Sequence, residues 1–347
     1  MATSMTALLL RPEIGRRLLF TAGVLLLYRV GCRVPFPGLD TEAARAATQT
    51  LKSEFLSIFG LGVTPFLSVL FFFEFIKLIV PPLSRWEASE SGHAQKLSRI
   101  VYLLALVIAG FQARGVTIAL RDASLLLDGS GWDLVVPLTL VGGTALLCWL
   151  GEQITRYGLG NGFWLLVITP TLAILVQNSA GSVELVRMGA LKAEVLFAEL
   201  VFFAVATALI VMTSRTNGAS PESRVSGAGF ASVWPPLLAV YVIGFFKVTV
   251  DGDEVSNVVN LLLLTALIAA FNGLQWLGTA PAARRPIWAI ILVQIFVCVG
   301  AKLLTDTLKL PFPIDGAWLI VIVITAMSCV RSLSAPSEAL RVKEAAA

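Results

Sequence analysis

Long apolar runs separated by short polar breaks recur from one end of the chain to the other. Each run is close to the ~20 residues that a helix needs to cross the hydrocarbon core of a bilayer. Ten can be placed, at 15–33, 56–80, 98–120, 134–151, 162–177, 194–213, 230–250, 257–277, 286–305 and 316–332. The pattern predicts an all-α polytopic membrane protein with ten transmembrane helices, forming one membrane domain over 1–347. Composition agrees, since 57% of the residues are hydrophobic and only 14% charged, against about a quarter charged in soluble proteins.

Two runs carry proline near their outer starts: GLGVTPFLSVLFFFEF holds Pro65, and GFASVWPPLLAVYVIG holds Pro235 and Pro236. The spacing between Pro65 and Pro235 is close to half the chain. Interrupted hydrophobic segments at matching places suggest an inverted repeat, with a pathway where the repeats meet. The expected division is an N-terminal half, 1–177, and a C-terminal half, 178–347, pseudo-symmetric and of opposite orientation. An N-in topology puts 15 of the 26 Lys and Arg residues on the inner side, as the positive-inside rule prefers. Both termini are then cytoplasmic, and MATSMTALLLRPEIGRR is read as a retained leader without a cleavage site. The net charge of +4 is therefore a topology signal. No basic run with interleaved aromatics points to nucleic acid.

Charges inside apolar runs are costly and are usually paired or functional. Glu74 in FFFEFIKLIV has Lys77 one turn on, which reads as an i,i+3 pair near the inner headgroups. Arg114 is expected to snorkel outward from a third span that ends early. Cys32, Cys148, Cys298 and Cys329 lie in or beside apolar runs without metal spacing and read as small packing residues. The single His93 offers no metal site. No catalytic motif, metal site or cofactor site is found, and the expectation is a transporter rather than an enzyme. A path lined by aliphatic and aromatic side chains suits a gasket around something large and flexible better than a route for ions.

Between the fourth and fifth runs lies WLGEQITRYGLGNG (149–162), polar and glycine-rich. It reads as a tight turn whose glycines reach positive φ at little cost, with Glu152 and Arg156 pairing across it or capping a helix.

This elbow resembles the loop between the fourth and fifth helices of the SecY/Sec61α protein-conducting channels. RRLLFTAGVLLLYRVGCRVPFPGLD (16–40), SIFGLGVTPFLS (57–68), WEASESGHAQKLSRI (86–100) and LPFPIDGAWLIVIVI (310–324) resemble further segments of that family in the same order. The resemblance implies an hourglass channel sealed by an apolar ring, with a lateral gate between the second/third and seventh/eighth helices. It places ring residues at Val63, Leu67, Phe163, Val167, Trp234 and Val321, with Ile320 as the alternative to the last. Thr64 and Gln112 take gate positions, and Glu152, Arg156, Arg284 and Arg285 are candidates for cytoplasmic partner contact. Implied partners are a SecE-like and a SecG-like subunit, SecA or the ribosome, an unfolded polypeptide and membrane lipid, in a bacterial inner membrane.

Two departures qualify this. Only residues 41–56 lie between PGLD and SIFGLG, so the plug expected there is shortened or missing. The loops at 213–229 and 278–286 are short, which weakens the case for ordinary docking of SecA or the ribosome. The alternatives are a specialised insertase working without SecA, a small-molecule permease and a non-transporting scaffold.

Overall fold

A computed structural model describes residues 12–40, 42–43, 53–80, 82–83, 86–87, 91–129, 131–216, 230–246, 254–278, 287–310 and 315–334. Its helices are α1 (Pro12–Gly31), α2 (Thr64–Ile79), α3 (Ser91–Asp122), α4 (Trp132–Tyr157), α5 (Gly162–Arg187), α6 (Ala193–Thr216), α7 (Trp234–Phe246), α8 (Glu254–Gly278), α9 (Trp288–Leu308) and α10 (Gly316–Ser334). Seven of them, α3 to α6 and α8 to α10, are long and apolar enough to cross a membrane; α7 is apolar but shorter. Among the described residues, β pairing is confined to two isolated bridges, Pro35 with Ser57 and Leu39 with Leu126.

The ten expected runs map in order onto the ten α-helices named among the described residues, and the differences have local causes. The second run was expected from 56, but the chain first makes a short 3-10 turn, Ser53–Leu56, and further turns before α2 begins at Thr64. Pro65 and Pro235 stand at the starts of helices. Each is the second residue of its helix, where an absent N–H costs no hydrogen bond and the fixed φ suits the first turn. Among the described residues, Pro137 lies inside α4 and Pro170 inside α5. The third span does not end early either: α3 continues past Arg114 to Asp122. Arg114 and Arg121 both reach Asp133 at the start of α4, at 3.7 and 2.6 Å. Arg114 is thus exposed but tethered. α10 starts where Asp315 accepts a hydrogen bond from the Ala317 N–H at 2.9 Å, an N-cap worth about 1 kcal/mol.

The chain groups into two compact units. One contains residues 1–70, 98–167 and 328–347; the other contains 71–97 and 168–327. In the first, α1 packs on α4, and Val24, Tyr28, Cys32, Phe59, Leu147, Leu150, Ile154 and Leu166 form a buried cluster. A second cluster of Phe36, Leu39, Leu56, Leu120, Leu125 and Leu140 joins the α1–α2 and α3–α4 connections. In the second unit, α7 packs on α8, α8 on α9 and α6 on α9. The cysteines are all free, three of them buried.

Candidate constriction and gate elements

The polar elbow is more helix than turn. α4 runs to Tyr157, so Glu152, Gln153, Thr155 and Arg156 are helical and only residues 158–161 turn. Glu152 and Arg156 therefore do not pair across a loop. They form an exposed i,i+4 pair on one helix face at 3.6 Å, the kind worth about 0.3–0.5 kcal/mol.

The glycines have two separate reasons. Gly160 has φ +69°, and a Cβ there would also sit 2.7 Å from Cys329 Sγ. Gly162 has ordinary backbone, but its Cβ would run into the Gly151 carbonyl of α4. The turn is clamped from both sides. Buried Arg17 of α1 donates through Nε to the Gly158 carbonyl at 3.1 Å and through Nη1 to the Ser332 carbonyl of α10 at 2.9 Å. The Leu159 N–H donates to Thr21 Oγ1 at 3.0 Å, and the Gly160 N–H to Ser332 Oγ at 2.9 Å. Read from sequence, Arg17 was only an inner-side charge; here it bridges the ends of two helices.

Of the expected ring residues, Leu67 and Val167 are buried, at 6% and 5% exposure. Val63 is half-buried and packs against the α1/α4/α5 cluster. Phe163 is half-buried, and its ring lies 4.8 Å from that of Phe66 on α2. The starts of α2 and α5 thus meet through apolar side chains in the first unit. In the second unit, Trp234 and Val321 are buried, as is Ile320. Of the gate positions, Thr64 is exposed and Gln112 half-buried. Arg284 and Arg285 lie outside the described residues, as does most of the 41–56 segment.

A contact that sequence reasoning missed ties α2 to α7 and α8 within the second unit. Phe71, one turn beyond Leu67, stacks on Tyr241 at 3.8 Å and meets Trp234 edge-on at 5.6 Å. Phe75, a further turn on, meets Phe271 of α8 at 6.2 Å. Five aromatic rings therefore line this seam. The signal lay in FFFEF, whose phenylalanines at 71 and 75 share one helix face. Below them the expected Glu74–Lys77 pair is present at 2.6 Å but has a third member: Lys77 also reaches Glu87 at 3.1 Å, and all three side chains are at most 13% exposed. A second missed feature is a buried amide relay. Asn272 Nδ2 of α8 donates to Gln294 Oε1 of α9 at 2.7 Å, and Gln294 Nε2 donates to the Ser232 carbonyl at 2.7 Å, two residues before Trp234.

The family model for SecY matches residues 57–219. The chain is 28% identical over 222 residues to protein translocase subunit SecY of Escherichia coli K12, covering 58% of this chain and 50% of that protein. It is 30% identical over 196 residues to the SecY of Vibrio cholerae, covering 52% and 44%. Over the matched stretch the chain is similar to SecY. The alignments span about half the length of the curated SecY relatives. Over 92% of its residues the chain also shares the fold of a solved SecY structure concerned with the plug domain, with TM-score 0.62 at 13% identity and 92% of that chain covered. The fold of Sec61 in a canine ribosome–channel complex gives 0.59 at 13%, with 92% of each chain covered. Val63, Thr64, Leu67, Gln112, Glu152, Arg156, Phe163 and Val167 lie inside the stretch that the SecY model matches. Trp234, Val321, Arg284 and Arg285 lie beyond it.

Proposed function

We propose that this protein is a SecY-like channel or insertase that passes unfolded polypeptide across a bacterial inner membrane or sideways into it. The observation that carries the reading is the apolar meeting of α2 and α5 within the SecY-matched stretch, where the Phe66 and Phe163 rings lie 4.8 Å apart and Leu67 and Val167 are buried. Apolar side chains at a narrowing exclude water and ions without binding a passing chain. The resemblance to SecY makes Val63, Leu67, Phe163, Val167, Trp234 and Val321 the candidate seal residues. Thr64 and Gln112 are the polar members of a lateral gate. The halves 1–177 and 178–347 are inverted repeats, and both termini are cytoplasmic.

The chain carries no catalytic role in this scheme, so energy enters through a partner. A SecE-like subunit, with a SecG-like one, holds the halves. SecA or the ribosome engages the inner face through Glu152, Arg156, Arg284 and Arg285.

The test uses the full chain in proteoliposomes loaded with a chloride-sensitive dye. Val63→Asn, Leu67→Asn and Val167→Asn, singly and together, are expected to raise ion leak several-fold and progressively. A stalled secretory chain is expected to crosslink to a probe at position 67. Unchanged leak in the triple variant, with the protein folded by gel filtration, overturns the reading. So does leak that depends on one small solute.

A further inference from the structure

Between α3 and α4, within the first unit, a cleft of about 380 Å³ opens at the surface, a size in the range of small-ligand sites, roughly 300–1,000 Å³. Its walls are Ser98, Arg99, Tyr102 and Leu103 of α3 and Trp149 and Glu152 of α4. Arg99 lies near the start of α3 and Glu152 near the end of α4, so in antiparallel neighbours both sit at the same membrane boundary.

From the cleft an apolar ridge continues along the membrane-spanning part of α3. Leu103, Val107 and Phe111 follow Arg99 at four-residue spacing, and all are exposed, at 62%, 54% and 74%. Trp149 of α4, which lines the cleft with Leu103, and Leu146 on the same helix are also exposed, at 51% and 41%. A charged mouth above an apolar track has the polarity profile of a phospholipid.

The charges in the mouth select among headgroups. Arg99 is exposed, and among the described residues no carboxylate pairs with it; it can take a phosphate together with the Ser98 and Tyr102 hydroxyls. Among the described residues the basic group that pairs with Glu152 is Arg156, at 3.6 Å, and Glu152 is half-exposed; it can accept from an ammonium that also lies over the Trp149 ring. A headgroup with extra negative charge meets Glu152 unfavourably, and a choline offers it no N–H.

We propose that this cleft is a binding site for a zwitterionic aminophospholipid of the phosphoethanolamine class, with its phosphate on Arg99 and its ammonium on Glu152 and Trp149. The site does not depend on whether the chain conducts polypeptide.

The full chain, purified in mild detergent, is offered equal amounts of dioleoyl phosphatidylethanolamine, phosphatidylglycerol and phosphatidylcholine, and bound lipid is counted by native mass spectrometry. Phosphatidylethanolamine is expected to exceed each of the others by about tenfold. Glu152→Gln is expected to lose the preference over phosphatidylcholine, and Arg99→Gln to lose lipid retention generally. Arg156→Gln, which frees the carboxylate, is expected to keep or raise the preference. These exposed positions tolerate such changes without unfolding, and gel filtration checks it. Equal retention of the three lipids, a preference for phosphatidylglycerol, or a preference unmoved by Glu152→Gln overturns the proposal. So does a photo-crosslinker at position 149 that captures a protein subunit from membranes instead of lipid.

Discussion

Replacing Arg17 with methionine tests whether the elbow is held from outside itself. Arg17 is 8% exposed, and its guanidinium donates to two carbonyls, Gly158 at 3.1 Å and Ser332 at 2.9 Å. Both carbonyls lie at the C-terminal ends of helices, α4 and α10, where a cation is also favoured by the helix dipole. Hydrogen bonds from a charged group contribute about 1.5–3 kcal/mol each. Met keeps most of the stem's packing and removes both bonds. The two carbonyls sit near a helix end, where water recovers part of the loss, so a net cost of about 3 kcal/mol is expected. Locally that is roughly a 100-fold loss of protection, at about 1.4 kcal/mol per factor of ten. The assay is hydrogen exchange on the full chain in lipid nanodiscs, read at the Leu159 and Gly160 amides, which bond Thr21 and Ser332. Arg17→Lys keeps the charge but not the two-armed reach and is expected to lose about half as much free energy. Protection that falls less than about threefold in Arg17→Met, or equally in both variants, refutes the clamp.

Two further outcomes follow from the seam below the ring residues. Phe71→Leu and Tyr241→Leu, singly and together, are expected to give a coupling free energy of about 0.5–1.5 kcal/mol in an unfolding double-mutant cycle; additive effects would mean that the 3.8 Å stacking contributes nothing specific. Lys77→Met removes the cation shared by the buried Glu74 and Glu87 carboxylates and is expected to destabilise by about 3–5 kcal/mol. Glu74→Gln costs less, because Lys77 retains Glu87, and adding Glu87→Gln to Lys77→Met recovers part of the loss; unfolding midpoints in lipid decide this.

The sequence alone determined the helical membrane class, the order of the helices and the likeness to SecY, because apolar length and a long ungapped motif are properties of contiguous residues. It also determined the Glu74–Lys77 pair, one helical turn apart. It misjudged where helices stop. The polarity of Glu152 to Arg156 looked like a loop, but a polar helix end past the apolar run satisfies its backbone just as well. Arg114 looked like an end of span, although a basic side chain can reach out from a continuing helix to an acid at the next helix's start.

Only the tertiary structure decided which distant groups meet. Arg17 and Ser332 are separated by 315 positions in the chain, and no local pattern marks either as a partner of the Gly158 turn. The same holds for Phe71 with Tyr241, for Asn272 with Gln294, and for Glu87 as the third member of the Lys77 cluster. Contacts of this kind depend on how helix faces pack, and the physical reason they are illegible is that a membrane helix is apolar on nearly every side. Hydrophobic periodicity, which in soluble proteins points to the core, then cannot distinguish the face turned to lipid from the face turned to another helix.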